Sequence, residues 1–175
     1  MAARISLSEI SFLVIDDSTY MRSVIRTVLQ GLGAGVVHEA MDGALGLESV
    51  LDHRPDVVIC DWVMAPVNGE DFMQFLRSDK DPAVATTPVI MLTSFSKRAY
   101  VMKAVRLGAN EFLAKPISPL LLYQRIERIV TESRPFVRVP GYFGPMPRGT
   151  QPDEKTLSQI AAVMAKPVPQ TLTIL

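Results

Sequence analysis

Five short apolar runs recur along the chain, at residues 12–15, 36–37, 57–60, 88–92 and 112–114. Within each run polar residues do not alternate with apolar ones, which is typical of strands buried on both faces of a parallel sheet. Between the runs, apolar residues recur three or four positions apart, which predicts amphipathic helices. The sequence therefore predicts a doubly wound α/β domain, a parallel sheet with right-handed crossovers and helices on both faces.

Capping residues mark the ends of several predicted helices. Asp42 suits the N-cap position of the second helix. The fourth helix is predicted over about residues 97–107, with Gly108 at its C-terminus. Ser118 followed by Pro119 predicts the start of the fifth helix, because proline is favoured at the first helical position. The apolar face predicted for this fifth helix consists of Leu122, Ile126, Ile129 and Val130.

The alternating pattern ends near residue 132 and divides the chain into three parts. Residues 1–10 form an N-terminal extension, residues 11–132 contain the α/β domain, and residues 133–175 form a Pro- and Gly-rich C-terminal tail. The hydrophobic content of 48% excludes a mainly disordered chain. The α/β segment is long enough to bury a sizeable core.

The tail shows two different sequence patterns. Prolines and glycines are frequent between residues 135 and 149, which predicts no helix or strand as far as Thr150. Asp153 is a suitable N-cap for a short helix near residues 153–165, and an apolar terminus follows at 172–175. Two interpretations stay open, because the tail is either disordered or docked on the domain or on a partner.

Charge and cysteine content restrict the function classes. Lysine plus arginine and aspartate plus glutamate both number 18, so no overall field attracts nucleic acid or an anionic membrane. Arg134, Arg138 and Arg148 form no basic helical face, which argues against a DNA-binding domain. No apolar segment reaches the roughly 18 residues of a membrane span. The single cysteine, Cys60, lies in an apolar run and suits a reducing compartment, so we expect a buried thiol and a cytoplasmic protein.

Polar side chains with related chemistry follow four of the apolar runs, and in chain order they are Asp16 and Asp17, Asp61, Thr93 and Lys115. Parallel strands deliver their carboxyl ends to one edge of a sheet, so these side chains are expected to meet. Three crowded carboxylates need a counter-ion, and an oxygen-only set suits Mg²⁺. A lysine and a hydroxyl can hold phosphoryl oxygens. The pattern predicts a phosphoryl site at which the Asp61 carboxylate is the acceptor.

This combination resembles the receiver domain of two-component response regulators, in the form of a chemotaxis-type stand-alone receiver with a C-terminal extension. The matching residues are Asp16-Asp17, Asp61, Thr93 and Lys115-Pro116, and the resemblance covers about residues 11–131. It implies a flavodoxin-like sheet of five parallel strands in the order 2-1-3-4-5. It also implies a cis bond between Lys115 and Pro116.

The resemblance further implies how the site works. Mg²⁺ would be held by Asp17, Asp61 and the backbone carbonyl of Val63, with Asp16 acting partly through water. Asp61 would receive its phosphoryl group from a sensor histidine kinase or a histidine phosphotransfer protein. The chain is expected to catalyse only its own phosphorylation and dephosphorylation, and so not to be an enzyme in the wider sense.

The resemblance also assigns roles to three residues beside the acceptor. Lys115 and Thr93 would contact the phosphoryl group as catalytic residues, and Thr93 and Phe112 would form a switch. If Thr93 moves toward the phosphoryl group, Phe112 can fill the vacated space; plain core packing is the alternative for this aromatic residue. A downstream protein is then expected on the face of the fourth helix, fifth strand and fifth helix, and a homodimer stays open.

Two positions depart from the family's pattern. Val63 replaces the polar residue often found two positions after the acceptor, and Phe95 is apolar two positions after Thr93. Neither side chain can orient an attacking water, so we expect a long-lived aspartyl phosphate. Two alternative functions are an aspartyl-nucleophile phosphatase and a receiver-like adaptor that works without phosphorylation. The phosphatase is disfavoured, because it needs a second aspartate at the position of Val63.

Overall fold

The computed structural model describes residues 5–94 and 98–168, so Phe95, the predicted helix start at 97 and the apolar terminus at 172–175 lie outside the described residues. Its main sheet has five strands in the order β2-β1-β3-β4-β5, and every neighbouring pair is parallel. This confirms the predicted fold. The strands are β1 (Ser11–Ile15), β2 (Val36–Ala40), β3 (Val57–Asp61), β4 (Val89–Thr93) and β5 (Glu111–Ala114).

Seven helices are present among the described residues: α1 (Thr19–Gly31), α2 (Gly43–His53), α3 (Gly69–Arg77), α4 (Pro82–Ala85), α5 (Arg98–Arg106), α6 (Pro119–Thr131) and α7 (Glu154–Met164). The helices predicted fourth and fifth are α5 and α6, because the short helix α4 was not predicted. Asp42 and Ser118 cap α2 and α6 through their side-chain oxygens, as expected. No helix in the described ranges combines the length and the apolar character needed to cross a bilayer.

The sheet separates two apolar clusters, because successive side chains of a strand point to opposite faces. On β1, Leu13 and Ile15 belong to one cluster, and Phe12 and Val14 belong to the other. All five residues of β3 and all five of β4 are buried. The uninterrupted apolar character of these runs therefore reflects coverage by helices on both sides.

The apolar face of α6 is narrower than predicted. Leu122 and Ile126 are fully buried, but Val130 is 45% exposed. Eight residues of α-helix rotate the chain by about 80° beyond two full turns, which carries position 130 away from the face of Leu122. The assignment of Val130 to the buried face was wrong.

The prediction that residues up to Thr150 form no regular element was also wrong. Two antiparallel strands, β6 (Phe136–Val139) and β7 (Tyr142–Pro145), form a hairpin there. Gly141 follows Pro140 at the turn with a φ of 76°, which is the backbone conformation that glycine provides in a tight turn. The prolines and glycines that indicated a loop thus build the ends of two short strands.

The hairpin and α7 share a small apolar core. Tyr142, Met146 and Ile160 are buried against one another, and partly buried residues of β6 and α7 surround them. The side chain of Asp153 accepts a hydrogen bond from the backbone nitrogen of Thr156 and caps α7. In the structure, the described part of the tail is therefore folded, and we refer to residues 134–168 as the C-terminal extension.

A buried guanidinium joins the sheet domain to the extension. Arg77 at the end of α3 is only 6% exposed, and its cation lies 4.9 Å from the centre of the Phe136 ring. Burial lowers the pKa of Arg77 to about 9, so the group stays charged at neutral pH. Its hydrogen bonds, 2.8–3.3 Å long, go to the backbone oxygens of Ala85, Thr87 and Gly108 and to the side-chain oxygen of Asn110.

Replacing Arg77 should destabilise the protein strongly. Arg77→Ala leaves several buried oxygens without a donor, and we expect a loss of about 3 kcal/mol or more in the free energy of unfolding. The control is Arg26→Ala, whose ion pair with Glu39 is largely solvated and should be worth less than about 1 kcal/mol. Urea denaturation measures both values. Equal losses in the two variants would contradict the role given to Arg77.

Candidate functional site

Three carboxylates converge at the carboxyl ends of β1 and β3. Asp61 is the last residue of β3, and Asp16 follows β1 directly. Ile15 pairs with Cys60 in the sheet, so the next residue of each strand lies at the same level. Three carboxylate oxygens lie within 4.8 Å of one another, one each from Asp16, Asp17 and Asp61. The convergence predicted from the strand ends is therefore present in the fold.

Lys115 lies between two of these carboxylates. Its Nζ is 3.0 Å from an oxygen of Asp16 and 3.1 Å from an oxygen of Asp61. The lysine comes from the end of β5, next but one to β3 in the sheet. Its contact with Asp16 was not predicted, because no local pattern relates residues that are 99 positions apart.

Burial and charge change the acidity of the site. Burial raises the pKa of Asp61 and Asp16 adds to this effect, while Lys115 offsets part of it. Burial acts to lower the pKa of Lys115, but its hydrogen bonds and ion pairs with Asp16 and Asp61 outweigh that effect and raise it. Lys115 is thus held as a cation. Three carboxylates against one ammonium leave a surplus of negative charge that suits a divalent cation.

The backbone around the site holds two carboxylates in place. Asp16 accepts a hydrogen bond from the backbone nitrogen of Ser18, and its carbonyl oxygen accepts one from the guanidinium of Arg22 at 2.7 Å. Asp61 accepts one from the backbone nitrogen of Trp62 at 2.9 Å. Asp16 and Asp61 are 1% and 6% exposed, whereas Asp17 is open to solvent. The site is accordingly preorganised on its inner side and accessible at Asp17.

Thr93 and Phe112 lie on the two strands beside Asp61. Thr93 ends β4, is fully buried, and its carbonyl oxygen accepts a hydrogen bond from the backbone nitrogen of Lys115 at 2.8 Å. Phe112 on β5 is partly buried against the apolar cluster that contains Trp62. The bond between Lys115 and Pro116 is cis.

Val63 stands apart from the buried members of the site. It follows Asp61 by two positions in the loop between β3 and α3, and it is 59% exposed. This loop also contains a cis bond between Ala65 and Pro66, which the sequence analysis did not predict. An apolar, exposed side chain at position 63 offers no polar group to the carboxylates.

An aromatic contact joins the residue after β3 to α5. Trp62 is 7% exposed, and its ring meets that of Tyr100 edge-on with centroids 6.1 Å apart. The ammonium of Lys103 lies 6.0 Å from the centre of the Trp62 ring and 2.6 Å from Glu70 of α3. These residues were missed, although the tryptophan directly after Asp61 was visible in the sequence.

Cys60, which precedes Asp61, is fully buried, as expected. Burial raises the pKa of its thiol well above the ordinary value, and the nearby charges of Asp61 and Asp16 add to this. The thiol is therefore held in its protonated, unreactive form. It belongs to the apolar cluster that contains Trp62.

Comparison with known proteins identifies relatives over most of the chain. The family model of the response regulator receiver domain matches residues 12–127. Chemotaxis protein CheY1 of Helicobacter pylori is 37% identical over 120 residues, covering 67% of this chain and 94% of that protein. A protein-glutamate methylesterase/protein-glutamine glutaminase of Myxococcus xanthus is 37% identical over 150 residues, which cover 85% of this chain. This chain spans only 41% of that relative's length.

Solved structures similar to this chain also include a chemotaxis protein and a response regulator. The chemotaxis protein CheY4 of Vibrio cholerae superposes with a TM-score of 0.63 at 29% identity, covering 69% of this chain and 98% of that one. A response regulator from Chloroflexus aurantiacus, described as putative, gives a TM-score of 0.65 at 28% identity and covers 70% of this chain and 98% of that one. Both likenesses fall short of the whole chain.

The close approach of α3 to the end of β3 depends on Gly69. A Cβ atom at this position would collide with the carbonyl oxygen of Asp61 and would lie 3.0 Å from the Cα of Trp62. Both obstacles are backbone atoms, so neither can move aside cheaply. The first residue of α3 must therefore be small for the loop between β3 and α3 to keep this path.

Gly69→Ala should destabilise the fold by about 1–3 kcal/mol through overpacking. Gly31→Ala is the matched control, because a Cβ on that helical glycine meets nothing within 4 Å. Alanine there should be neutral or stabilising by up to about 1 kcal/mol. Chemical denaturation of both variants gives the comparison. A neutral Gly69→Ala would show that the loop has more room than the structure indicates.

Proposed function

Since the chain belongs to the response regulator receiver family, we propose that it is a phosphorylation-controlled signalling module in which Asp61 accepts a phosphoryl group. The family match already establishes a receiver domain of two-component signalling. The observation that carries the assignment to Asp61 is the convergence of Asp16, Asp17 and Asp61 with Lys115 at one sheet edge. The proposed receiver domain spans residues 11–132, with extensions at 1–10 and 133–175.

The proposed donor is a sensor histidine kinase or a histidine phosphotransfer protein. A carboxylate oxygen of Asp61 attacks the phosphorus of a phosphohistidine, an O–P bond forms, the N–P bond breaks, and the imidazole nitrogen leaves with the electron pair. Lys115, already within 3.1 Å of Asp61, supplies positive charge to the transferred oxygens. The hydroxyl of Thr93 is the proposed donor to another phosphoryl oxygen.

The acidic cluster fits a magnesium ion. Mg²⁺ prefers oxygen ligands and usually takes one or two carboxylates with water and phosphate. In our proposal Asp17 and Asp61 bind it directly, together with the backbone carbonyl of Val63, and Asp16 acts partly through water. The ion, when bound, neutralises negative charge on the carboxylates and the phosphoryl group.

The output is proposed to pass through Thr93 and Phe112. When Thr93 turns toward the phosphoryl group, Phe112 can move into the space it leaves, which changes the face formed by α5, β5 and α6. A downstream protein would bind that face in one state more tightly than in the other. Couplings of this kind are typically about 1–3 kcal/mol, enough to shift a population without refolding the domain.

The proposed chemistry is limited to the phosphorylation and dephosphorylation of Asp61 itself. The methylesterase relative carries its named activity in a protein of which this chain spans 41%, and the activity is a statement about that protein. An aspartyl-nucleophile phosphatase would need an acid/base residue at position 63, where an exposed valine stands. An adaptor that works without phosphorylation would not need the acidic cluster or Lys115, which argues against that alternative.

Phosphorylation should occur at Asp61 and nowhere else. Incubation of the full chain with a small phosphodonor and Mg²⁺ should add the mass of one phosphoryl group, detected by intact-mass spectrometry. Asp61→Ala should gain none, whereas Asp52→Ala, an exposed aspartate on α2, should behave as the parent. An unmodified parent under forcing conditions would leave the adaptor interpretation in place.

Magnesium should stabilise the fold through the acidic cluster. At about ten times its dissociation constant, an ion that binds only the folded state adds about 1.4 kcal/mol to the free energy of unfolding. Asp17→Ala should reduce this gain, and Asp52→Ala should keep it. The measurement is denaturation with and without Mg²⁺ at constant ionic strength. A gain that survives in Asp17→Ala would place the ion elsewhere.

The aspartyl phosphate should be long-lived, because Val63 cannot orient an attacking water. Val63→Asn should shorten its lifetime by about 100-fold or more, at the lower end of the range that a positioned polar group contributes to proton transfer. Val63→Ala is the control and should leave the lifetime unchanged. The decay is followed by intact mass after the phosphodonor is removed. Rapid decay in the parent, unaltered in Val63→Asn, would refute the explanation.

A further inference from the structure

Helix α5 is in contact with the acceptor loop on one side. Trp62, whose backbone nitrogen donates to Asp61, packs edge-on against Tyr100 in the first turn of this helix. Lys103, one turn further along, lies over the Trp62 ring and pairs with Glu70. A change at the Asp61 carboxylate therefore has a short, packed route to α5 through the residue next to it.

The other end of α5 is in contact with the C-terminal extension. The guanidinium of Arg106, the last residue of α5, donates to the backbone oxygen of Val163 in α7 at 3.3 Å. Gly108, just past the helix, lies so close to the hairpin that a Cβ there would collide with the carbonyl oxygen of Phe143. The helix has nine residues and is about 13 Å long, so it joins two regions at opposite ends of the sheet.

The extension also holds the adjoining ends of β5 and α6. Arg148 pairs with Glu111, the first residue of β5, and with Glu132 just after α6. Arg134 donates to the backbone oxygens of Asn110 at 3.1 Å and Met146 at 2.7 Å. The extension thus touches all three elements of the proposed output face, at the ends that lie away from Asp61.

We propose that the C-terminal extension is an intramolecular output segment, whose docking on α5, β5 and α6 is weakened when Asp61 is phosphorylated. The inference rests on the proposed function and adds to it the first element that the switch acts on. Packed helices respond to a local change by small rigid shifts, and α5 is held at both ends by specific contacts. A shift at Tyr100 that is carried along the helix changes the fit at Arg106 and Gly108.

The contacts themselves set the direction of the coupling. Lys115 bridges Asp16 and Asp61, and Gly108 at the far end of α5 fits so closely against the carbonyl oxygen of Phe143 that a shift of the helix disturbs this contact. A phosphoryl group on Asp61 takes Lys115 for its own oxygens and alters the oxygen that Trp62 contacts. Docking and phosphorylation therefore oppose each other, and linkage makes the effect reciprocal.

The first test measures hydrogen exchange in the full chain. Phosphodonor and Mg²⁺ should accelerate exchange of the α7 amides by about 5- to 150-fold, the usual range of such couplings, with Asp61→Ala unaffected. The intact mass of the same samples reports phosphorylation separately. Phosphorylated protein with unchanged α7 exchange would overturn the inference and leave the proposed function standing. Protein that takes up no phosphoryl group would overturn both.

The second test uses the reciprocal effect. Arg148→Ala should loosen the extension and raise the affinity for beryllium trifluoride, a phosphoryl mimic, by a factor within the same range; calorimetric titration with Mg²⁺ present measures it. Arg26→Ala removes a more solvated ion pair outside the extension and should leave the affinity unchanged. If Arg148→Ala fails to fold, Arg106→Gln tests the contact from α5. An unchanged or lowered affinity in the folded variant would refute the coupling.

Discussion

Repulsion among the carboxylates of Asp16, Asp17 and Asp61 is the constraint to which the rest of the structure responds. Two of the three are almost completely buried, where like charges repel most strongly. Lys115 offsets part of this cost through ion pairs with Asp16 and Asp61. The parallel sheet makes this arrangement possible, because it brings the ends of separate strands together on a rigid support. The remaining negative charge suits a divalent cation.

The apolar clusters on both faces of the sheet explain why this site is rigid. β3 and β4 are buried along their whole length, so Asp61 and Thr93 occupy fixed positions at their ends. Gly69 lets α3 begin directly beside the carbonyl oxygen of Asp61. Because Asp61 is rigidly placed, packed neighbours such as Trp62 would feel a chemical change at its carboxylate, instead of a flexible loop absorbing it.

The C-terminal extension gives this receiver a feature beyond the matched family region, which ends at residue 127. Its own core is small, with Tyr142, Met146 and Ile160 at its centre, and such a unit gains much of its stability from the surface on which it docks. Arg134 and Arg148 supply that attachment through hydrogen bonds and ion pairs, and Arg77 adds a cation–π contact with Phe136. Polar attachments depend on exact geometry, so they respond to small shifts more sharply than apolar contacts do.

The amino-acid sequence by itself determined the sheet, the main helices and the composition of the acidic site. Apolar runs and helical spacing are local signals, so the strands and helices could be predicted from them. Because the ends of parallel strands share one edge, the proximity of Asp16, Asp17, Asp61 and Lys115 could be predicted as well. Only the tertiary structure decided the hairpin, the buried environment of Arg77 and the contact of Lys115 with Asp16. The strands β6 and β7 have four residues each in a segment rich in prolines and glycines that hides them, and they are stabilised by surfaces distant in the chain. Such contacts follow from the complementary shape and charge of the folded elements, which no local pattern of residues encodes.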